Sequence, residues 1–384
     1  MGLKTQQPPL HLGKQTYSGE GAIRRVTGII KNYRRILLFN DQAAFKACGA
    51  EEFFLPIIEK FPIHILSYSG KALPLEDIQQ LYDKNKHIRN IDLIVAVGGG
   101  TVIDLSKIYS LAYSNRLIDL DIILGDKIPE NKIDLVFIPT TAGTGSEATS
   151  FAVVYKDKKK YSILHPTLLP KYTILDPGLL TSLPEEILNA TVLDALAQGI
   201  ESMWAAGGTA ESREYAGMAI SNILAGLAET ERMKKSEAFQ LGAHFSGKAI
   251  NISKTTLPHA ISYPLTSHFG IPHGIAVFLT LPKIAELNYH IDATAMQPGL
   301  NPEQHRKNFL TLFKLFEVPD IAGLTGKFKN IMEKFNVKTR LRNYGLKKDD
   351  LSKIAENSYT KGRSDNNPRK IDRKTILHTL GEIY

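Results

Sequence analysis

Short apolar runs separated by longer amphipathic stretches fill the first half of the chain. Ile36–Phe39, Ile63–Ser67, Leu93–Val97, Leu135–Ile138 and Thr173–Leu175 are brief, rich in Ile, Leu and Val, and flanked by turn formers. That is the pattern of strands buried on both faces. Most intervals between them are long enough for a helix, so the rhythm predicts a mostly parallel sheet with helices on its faces. The charged run Lys156–Lys160 predicts a solvated turn between two further strands. After Asp176-Pro177 the texture changes. Strand-like runs nearly vanish from Pro184 onward, and Glu185–Trp204 and Thr209–Met233 predict long helices. The pattern predicts an α/β domain over residues 1–180 and an all-helical domain over 181–384, with no internal repeat.

Composition narrows the function classes. Of 384 residues, 43% are hydrophobic and 22% charged, a globular balance. Lys and Arg number 47 against 39 Asp and Glu, a net charge of +8. That excess favours anionic partners but is too mild for a nucleic-acid-binding chain. A single cysteine, Cys48, excludes a disulfide framework and a cysteine-rich zinc site. No apolar run approaches the ~18–20 residues of a membrane span, and the N-terminal segment lacks the apolar core of a signal peptide. The expected partner is a small molecule, not a membrane, and the expected location is the cytoplasm.

Candidate chemistry begins where the third apolar run meets glycine. Leu93–Val97 leads into Gly98-Gly99-Gly100-Thr101, and a helical stretch follows. Glycines let backbone approach phosphate oxygens, and the first N–H groups of a helix have no internal partners, so a pyrophosphate fits there. A plain strand–turn–helix connection is the alternative. A second loop, Pro139–Glu147, interleaves Thr140, Thr141 and Thr144 with glycine after another strand. Two such loops agree with the rule that α/β ligands bind at strand C-terminal ends. Gly242–Ala249 imitates a nucleotide P-loop but ends in Ala249 where magnesium needs a hydroxyl, and it reads as helix. Farther on, Asp194 lies on a helical stretch with Gln198 one turn later, and His259, His268 and His273 follow. A helical carboxylate and two imidazoles make a plausible divalent-metal set, although spacing alone does not select these among 11 histidines.

These motifs carry a resemblance. GGGTVIDLSK (Gly98–Lys107), PTTAGTGSEAT (Pro139–Thr149), ILDPGLLTSLP (Ile174–Pro184), LDALAQGIES (Leu193–Ser202) and PHAISYPLTSHFGIPHG (Pro258–Gly274) occur in order, with an echo at Asn367-Pro368-Arg369. The chain resembles the iron-containing (group III) alcohol dehydrogenase family, related to glycerol dehydrogenase and dehydroquinate synthase. The resemblance implies a dinucleotide-binding α/β domain, an all-α C-terminal domain, catalysis in the cleft between them, and a homodimer. It implies that Gly98, Gly99, Gly100 and Thr101 hold the pyrophosphate, that Thr140, Thr141 and Thr144 seat the nucleotide, and that Asp104 and Lys160 complete the cofactor set. The family's metal positions fall on Asp194, Gln198, His259 and His273. Asp41 matches the acid that binds the adenosine ribose; a carboxylate there accepts from a 2′-OH and repels a 2′-phosphate, which favours NAD(H) over NADP(H).

Three departures from the family pattern shape the expected chemistry. Gln198 replaces the usual histidine, leaving three strong ligands and an open position, an arrangement that suits Zn2+ over Fe2+. Tyr263 replaces a histidine thought to relay the alcohol proton; packing is its other reading, and His268 or a water chain is another relay. Lys254-Thr255-Thr256 stands where small residues are usual, a good holder for a phosphonate, phosphate or carboxylate, with Lys160 and Arg369 as further cations. The combination is similar to phosphonoacetaldehyde reductase-like members of the family. The resulting expectation is metal-dependent, NAD-linked interconversion of a primary alcohol and a small anionic aldehyde. Competing readings are a dehydroquinate synthase-like lyase using NAD transiently and a catalytically silent nucleotide-binding relative.

Overall fold

A computed structural model of the chain describes residues 15–70, 72–125, 127–157, 159–359 and 363–384. The strands are β1 (Thr16–Ser18), β2 (Ile36–Asn40), β3 (Ile63–Ser67), β4 (Leu93–Gly98), β5 (Asp134–Pro139), β6 (Phe151–Lys156), β7 (Lys159–Leu164) and β8 (Tyr172–Leu175). The first half also holds α1 (Arg25–Ile30), α2 (Gln42–Ala47), α3 (Ala50–Ile58), α4 (Leu75–Asn85) and α5 (Gly100–Asn115). Among the described residues six strands form a parallel sheet in the order β1-β8-β5-β4-β2-β3. The interior strands β2 and β4 are buried at every position, which is why they read as unbroken apolar runs. The polar three-residue β1, at the edge beside β8, has no apolar run and escapes a hydrophobicity reading. β6 and β7 form a separate antiparallel hairpin, and Lys156, Lys159 and Lys160 of the predicted turn lie within its paired strands.

The second half is helical: α6 (Glu185–Trp204), α7 (Ala210–Ala228), α8 (Arg232–Ser253), α9 (Leu257–Phe269), α10 (His273–Tyr289), α11 (Pro302–Leu315), α12 (Ile321–Lys334), α13 (Asp350–Asn357) and α14 (Arg373–Glu382). The helix expected over Thr209–Met233 is two helices. The Glu229 carboxylate accepts from the backbone N–H groups of Thr230 and Glu231, 2.8 and 2.9 Å away, so an acid supplies the break that glycine or proline usually signals. α6 is buried almost all round from Leu188 to Trp204. α10 rests on it through Gly274, where a Cβ would lie 1.9 Å from the Ala190 carbonyl oxygen. That approach, open only to glycine, sets the neighbouring His273 beside α6.

The chain divides into two compact units. The first holds the residues up to Thr141, then Ser146–Leu183 and Glu229–Gln240; the second holds Ala142–Gly145, Pro184–Ala228 and Leu241–Tyr384. A single cut at 180 leaves out both exchanged segments. The four-residue segment joins the second unit by close packing: a Cβ on Gly247 would sit 2.3 Å from the Gly145 carbonyl oxygen. The P-loop lookalike is thus a run of α8 whose glycines serve helix and loop packing. No described helix is long and apolar enough to cross a membrane.

Candidate functional site

In the first unit the chain runs from β2 outward to β3 and returns to the other side of β2 as β4. This reversal of strand order opens a crevice at the C-terminal ends of β2 and β4, the usual ligand position in open α/β sheets. Gly98 ends β4, Gly99 caps α5, and Gly100 and Thr101 form its first turn. Thr140 N–H donates to the Gly98 carbonyl at 3.1 Å, so the two predicted loops are joined. The Thr141 methyl lies 3.3 Å from where a Gly99 Cβ would be. Thr140 is buried, and Thr144, in the second unit, is exposed. At the end of β2 the Asp41 carboxylate caps α2, accepting from Ala44 N–H at 2.9 Å. Beside it, Asn40 is buried with its Nδ2 unpaired among the described residues, while its oxygen accepts from Ser67. A buried amide donor without an acceptor, one residue from Asp41, suits a polar ligand in this crevice.

The Asp104 carboxylate is engaged by groups of the protein itself. Its carboxylate accepts from the Ser146 hydroxyl at 2.5 Å and from Val153 N–H at 2.9 Å, fastening α5 to the 146–153 segment. Burial pushes its carboxyl up, and Lys107 and then Lys160 act against that. Lys160, on β7, therefore lies within electrostatic reach of Asp104.

The second unit brings the metal candidates together. Asp194, Gln198 and Glu201 share one buried face of α6 at successive turns. His259 comes from the first turn of α9 and His273 opens α10. One donor atom each from Asp194, His259 and His273 lies within 4.8 Å of the others. Asp194 Oδ1 is 3.2 Å from His259 Nε2 and 4.0 Å from His273 Nε2. The opposite ring nitrogens are anchored. His259 Nδ1 pairs with Glu201 Oε2, and Glu201 Oε1 accepts from Thr256 N–H and Oγ1 at 2.9 and 2.8 Å. The Ser262 hydroxyl donates to the His259 carbonyl at 2.7 Å, so it accepts from His273 Nδ1 at 3.3 Å. Both Nε2 atoms are thereby turned toward Asp194.

This donor set fits a divalent cation. Two carboxylates, Asp194 at 4% exposure and Glu201 at 0%, are held together away from water, and such charges need compensation. In the protein alone His259 supplies it. Burial pulls its imidazole down, but Glu201 and Asp194 outweigh burial and hold it above the usual range. Burial likewise pushes the Asp194 carboxyl up, and the His259 hydrogen bond and the His273 charge bring it below its ordinary value. A dication would replace the proton on Nε2 and balance both carboxylates. Gln198 lies alongside: it hydrogen-bonds Asp194, and its Oε1 is 2.9 Å from Ser246 Oγ.

The remaining candidates separate. Tyr263 stacks on His273, with ring centroids 6.1 Å apart and planes 15° apart. His268 is exposed on the last turn of α9, about 13 Å of helix rise beyond His259, too far for a proton relay. The Lys254-Thr255-Thr256 run divides its labour, because the Thr256 hydroxyl serves Glu201 and so is not an anion donor. Arg369 forms an isolated antiparallel bridge with Met296, and its charge adds to the Thr294 hydrogen bonds that hold the Asp292 carboxyl low. Arg363 reaches this run, its guanidinium donating to Thr255 Oγ1, and its charge acts on Lys254. Sequence reasoning missed Glu201 and Arg363. Glu201 had a signal, as the third acid or amide on the Asp194 face of a helix; Arg363 had none.

The model of the iron-containing alcohol dehydrogenase family matches residues 13–177, and that of the family's C-terminal domain matches residues 188–384. The phosphonoacetaldehyde reductase of Streptomyces viridochromogenes is 31% identical over 333 residues, covering 83% of this chain and 82% of the relative. The 4-hydroxybutyrate dehydrogenase of Clostridium kluyveri is 27% identical over 352 residues, covering 87% and 91%. The crystal structure of sulfoacetaldehyde reductase from Bifidobacterium kashiwanohense in complex with NAD+ superposes with a TM-score of 0.81 at 23% identity, covering 96% of both chains.

Proposed function

We propose, for a chain that belongs to the iron-containing alcohol dehydrogenase family and is an oxidoreductase acting between alcohols and aldehydes, that its substrate is a small aldehyde bearing an anionic group, of the phosphonoacetaldehyde type, reduced with NADH. The observation that carries this reading is the convergence of two anchored imidazole Nε2 atoms on the Asp194 carboxylate. Two relatives, named for phosphonoacetaldehyde and 4-hydroxybutyrate, act on molecules that pair the reacting carbon with an anion, which supports the substrate class.

A divalent ion held there supplies Lewis acidity toward a carbonyl or alcohol oxygen. The protein's own residues do the rest. Asp194, His259 and His273 would hold the ion, Glu201 and Ser262 fix the ring tautomers, and Tyr263 stacks on the His273 ring. Three strong donors suit zinc, and we take zinc over iron. Gln198 is a fourth contact once its amide turns over: the single Ser246 proton serves the Ala243 carbonyl at 2.8 Å, the hydroxyl then accepts from the Gln198 NH2 group, and the amide oxygen is released toward the ligand set. Gly98–Thr101 receive the pyrophosphate, Thr140, Thr141, Thr144 and Lys160 contribute to seating the dinucleotide, and Asp41 selects NADH by accepting from a ribose hydroxyl. The balance is aldehyde plus NADH plus a proton giving alcohol plus NAD+. We extend the proposal to the homodimer implied by the resemblance.

The test is NADH and NADPH oxidation by metal-stripped protein with phosphonoacetaldehyde, resupplied with Zn(II) or Fe(II). Zinc is expected to restore turnover with NADH. His273→Ala is expected to lose metal and turnover together while still enhancing NADH fluorescence. Full turnover by metal-free His273→Ala overturns the reading. Turnover without net NADH oxidation would instead favour the lyase.

A further inference from the structure

We infer that Asp104 and Lys107 are positioning residues for the coenzyme: from one face of α5 they hold Ser146, and through it they set the shape of the Thr140–Gly145 loop that seats the dinucleotide. This rests on the proposed function and adds what keeps the coenzyme loops in place. The chain between β5 and β6 joins no strand ladder, so its backbone polar groups need other partners. At the entry, Thr140 N–H donates to the carbonyl of Gly98, the first glycine of the other coenzyme loop, at 3.1 Å. Of residues 142–150 only Thr144 is exposed, so the loop presents that one residue outward. Gly100, Asp104 and Lys107 follow the i, i+4, i+7 spacing and share one side of α5, the side that starts at the glycine turn proposed for the pyrophosphate.

Where the loop returns, α5 grips Ser146 by both its hydroxyl and its carbonyl. The hydroxyl donates to Asp104 Oδ1 at 2.5 Å and lies 3.1 Å from Lys107 Nζ, and the carbonyl accepts from the same ammonium at 2.7 Å. The single Ser146 proton goes to the carboxylate, so the hydroxyl oxygen accepts from Lys107, and neither bond can reverse. Asp104 Oδ2 accepts from Val153 N–H at 2.9 Å, and the ammonium also donates to the Phe151 carbonyl at 2.8 Å. The exit of the loop and the start of β6 are thereby held to α5 as one piece.

Charged groups in this place point to a need for direction. Apolar contact is enough to fasten a helix to a loop, whereas a buried ammonium and carboxylate, 3.9 Å apart here, carry a desolvation cost that apolar packing avoids. A paired acceptor and donor fix the rotamer and the peptide plane of Ser146, which dispersion contacts do not. The residues just before it have no slack. A Cβ on Gly145 would lie 2.7 Å from the Ala243 carbonyl oxygen, and one on Gly143 2.6 Å from Thr191 Cβ. Those contacts lie within the second unit and the grip on Ser146 lies within the first, and the Gly145–Ser146 peptide bond joins them. Thr144 is thus placed by its neighbours on both sides. The grip also depends on the carboxylate. Both Asp104 oxygens accept, one from a hydroxyl and one from an N–H; an asparagine offers one acceptor and turns a donor toward the other group, so Asp104→Asn breaks one bond at nearly constant shape.

The experiment uses metal-loaded, full-length protein as wild type, Asp104→Asn, Ser146→Ala and the double variant. The readouts are the NADH Kd from fluorescence titration, KM for NADH and for phosphonoacetaldehyde, kcat, and the thermal midpoint. Asp104→Asn is expected to raise the Kd and KM for NADH about 10-fold and Ser146→Ala about fivefold, with kcat at saturation and the aldehyde KM within about twofold of wild type. The double variant is expected to bind NADH no more weakly than Asp104→Asn, because both changes act through one hydrogen bond; a fully additive loss would overturn action through that bond. Unchanged Kd and KM for NADH in both single variants, measured well below their midpoints, overturn the proposal, since a fastening that serves stability alone moves only the midpoints. Ser146→Ala, which removes one oxygen, decides the matter if Asp104→Asn does not fold. A wild type that binds no dinucleotide overturns the proposed function and this inference together. A wild type that binds NADH but reduces no aldehyde counts against the reaction alone, and the NADH Kd then judges Asp104 and Ser146.

Discussion

Glu201 shows how one side chain governs a site through the imidazole it holds. It is fully buried, and both oxygens are committed, one to Thr256 and the other to His259 Nδ1. Glu201→Gln keeps the shape but removes the charge that orients the imidazole and compensates a bound cation. The expected result is metal affinity about 10- to 100-fold weaker, measured by competition with a chromophoric chelator, with turnover recovering at saturating metal. Unaltered affinity would mean that Glu201 serves packing alone. The residue also marks what single positions disclose beforehand. Asp194, His259 and His273 were legible through family blocks, because spacing cannot choose among 11 histidines. Glu201 was within reach of helical periodicity on α6. Arg363 was not: it lies outside every block, and Arg369, next to the Asn367-Pro368 echo, looked the better cation. Proximity in sequence to a motif says little about where a loop returns in space.

At the scale of elements, α5 is fastened by a lysine with no route to water. Lys107 is fully buried, its ammonium donating to the Ser146 and Phe151 carbonyls at 2.7 and 2.8 Å and lying 3.1 Å from Thr149 Oγ1. Lys107→Met removes these donors and leaves buried carbonyls and Asp104 without their cation, so it is expected to cost about 3 kcal/mol, read from the urea midpoint. Burial pushes the Lys107 ammonium down to about 8 from 10.5. Between those values the unfolded chain holds a proton the folded one has released, so wild-type stability gains a contribution as pH rises through the window. Lys107→Met lacks that contribution, and comparing midpoints at about pH 7.5 and about pH 9.5 isolates it. A variant as stable as wild type would refute the fastening role. The interior strands were legible because burial on both faces writes unbroken apolar runs. β1 and the α7–α8 break were not, since an edge strand of three polar residues and a glutamate acting as a cap leave no such mark.

For the whole molecule, the change of texture near residue 180 was legible, but segments that cross between units were not. Ala142–Gly145 and Glu229–Gln240 change sides through packing that pairs positions far apart in the chain, such as Gly145 with Gly247. Net charge acts at this scale too. A surplus of +8 sets a field that favours anions, and exposed charges are screened within roughly 8–10 Å at moderate salt. With NADH saturating, kcat/KM for an anionic aldehyde is expected to fall about fivefold as sodium chloride rises from about 20 mM to about 500 mM, while that for a neutral aldehyde changes less than about 1.5-fold. The neutral substrate controls for salt effects on folding, metal retention and coenzyme binding. Parallel loss for both substrates would mean that salt acts on the protein and not on the approach of the anion, and the charge surplus would then have no part in selecting the substrate.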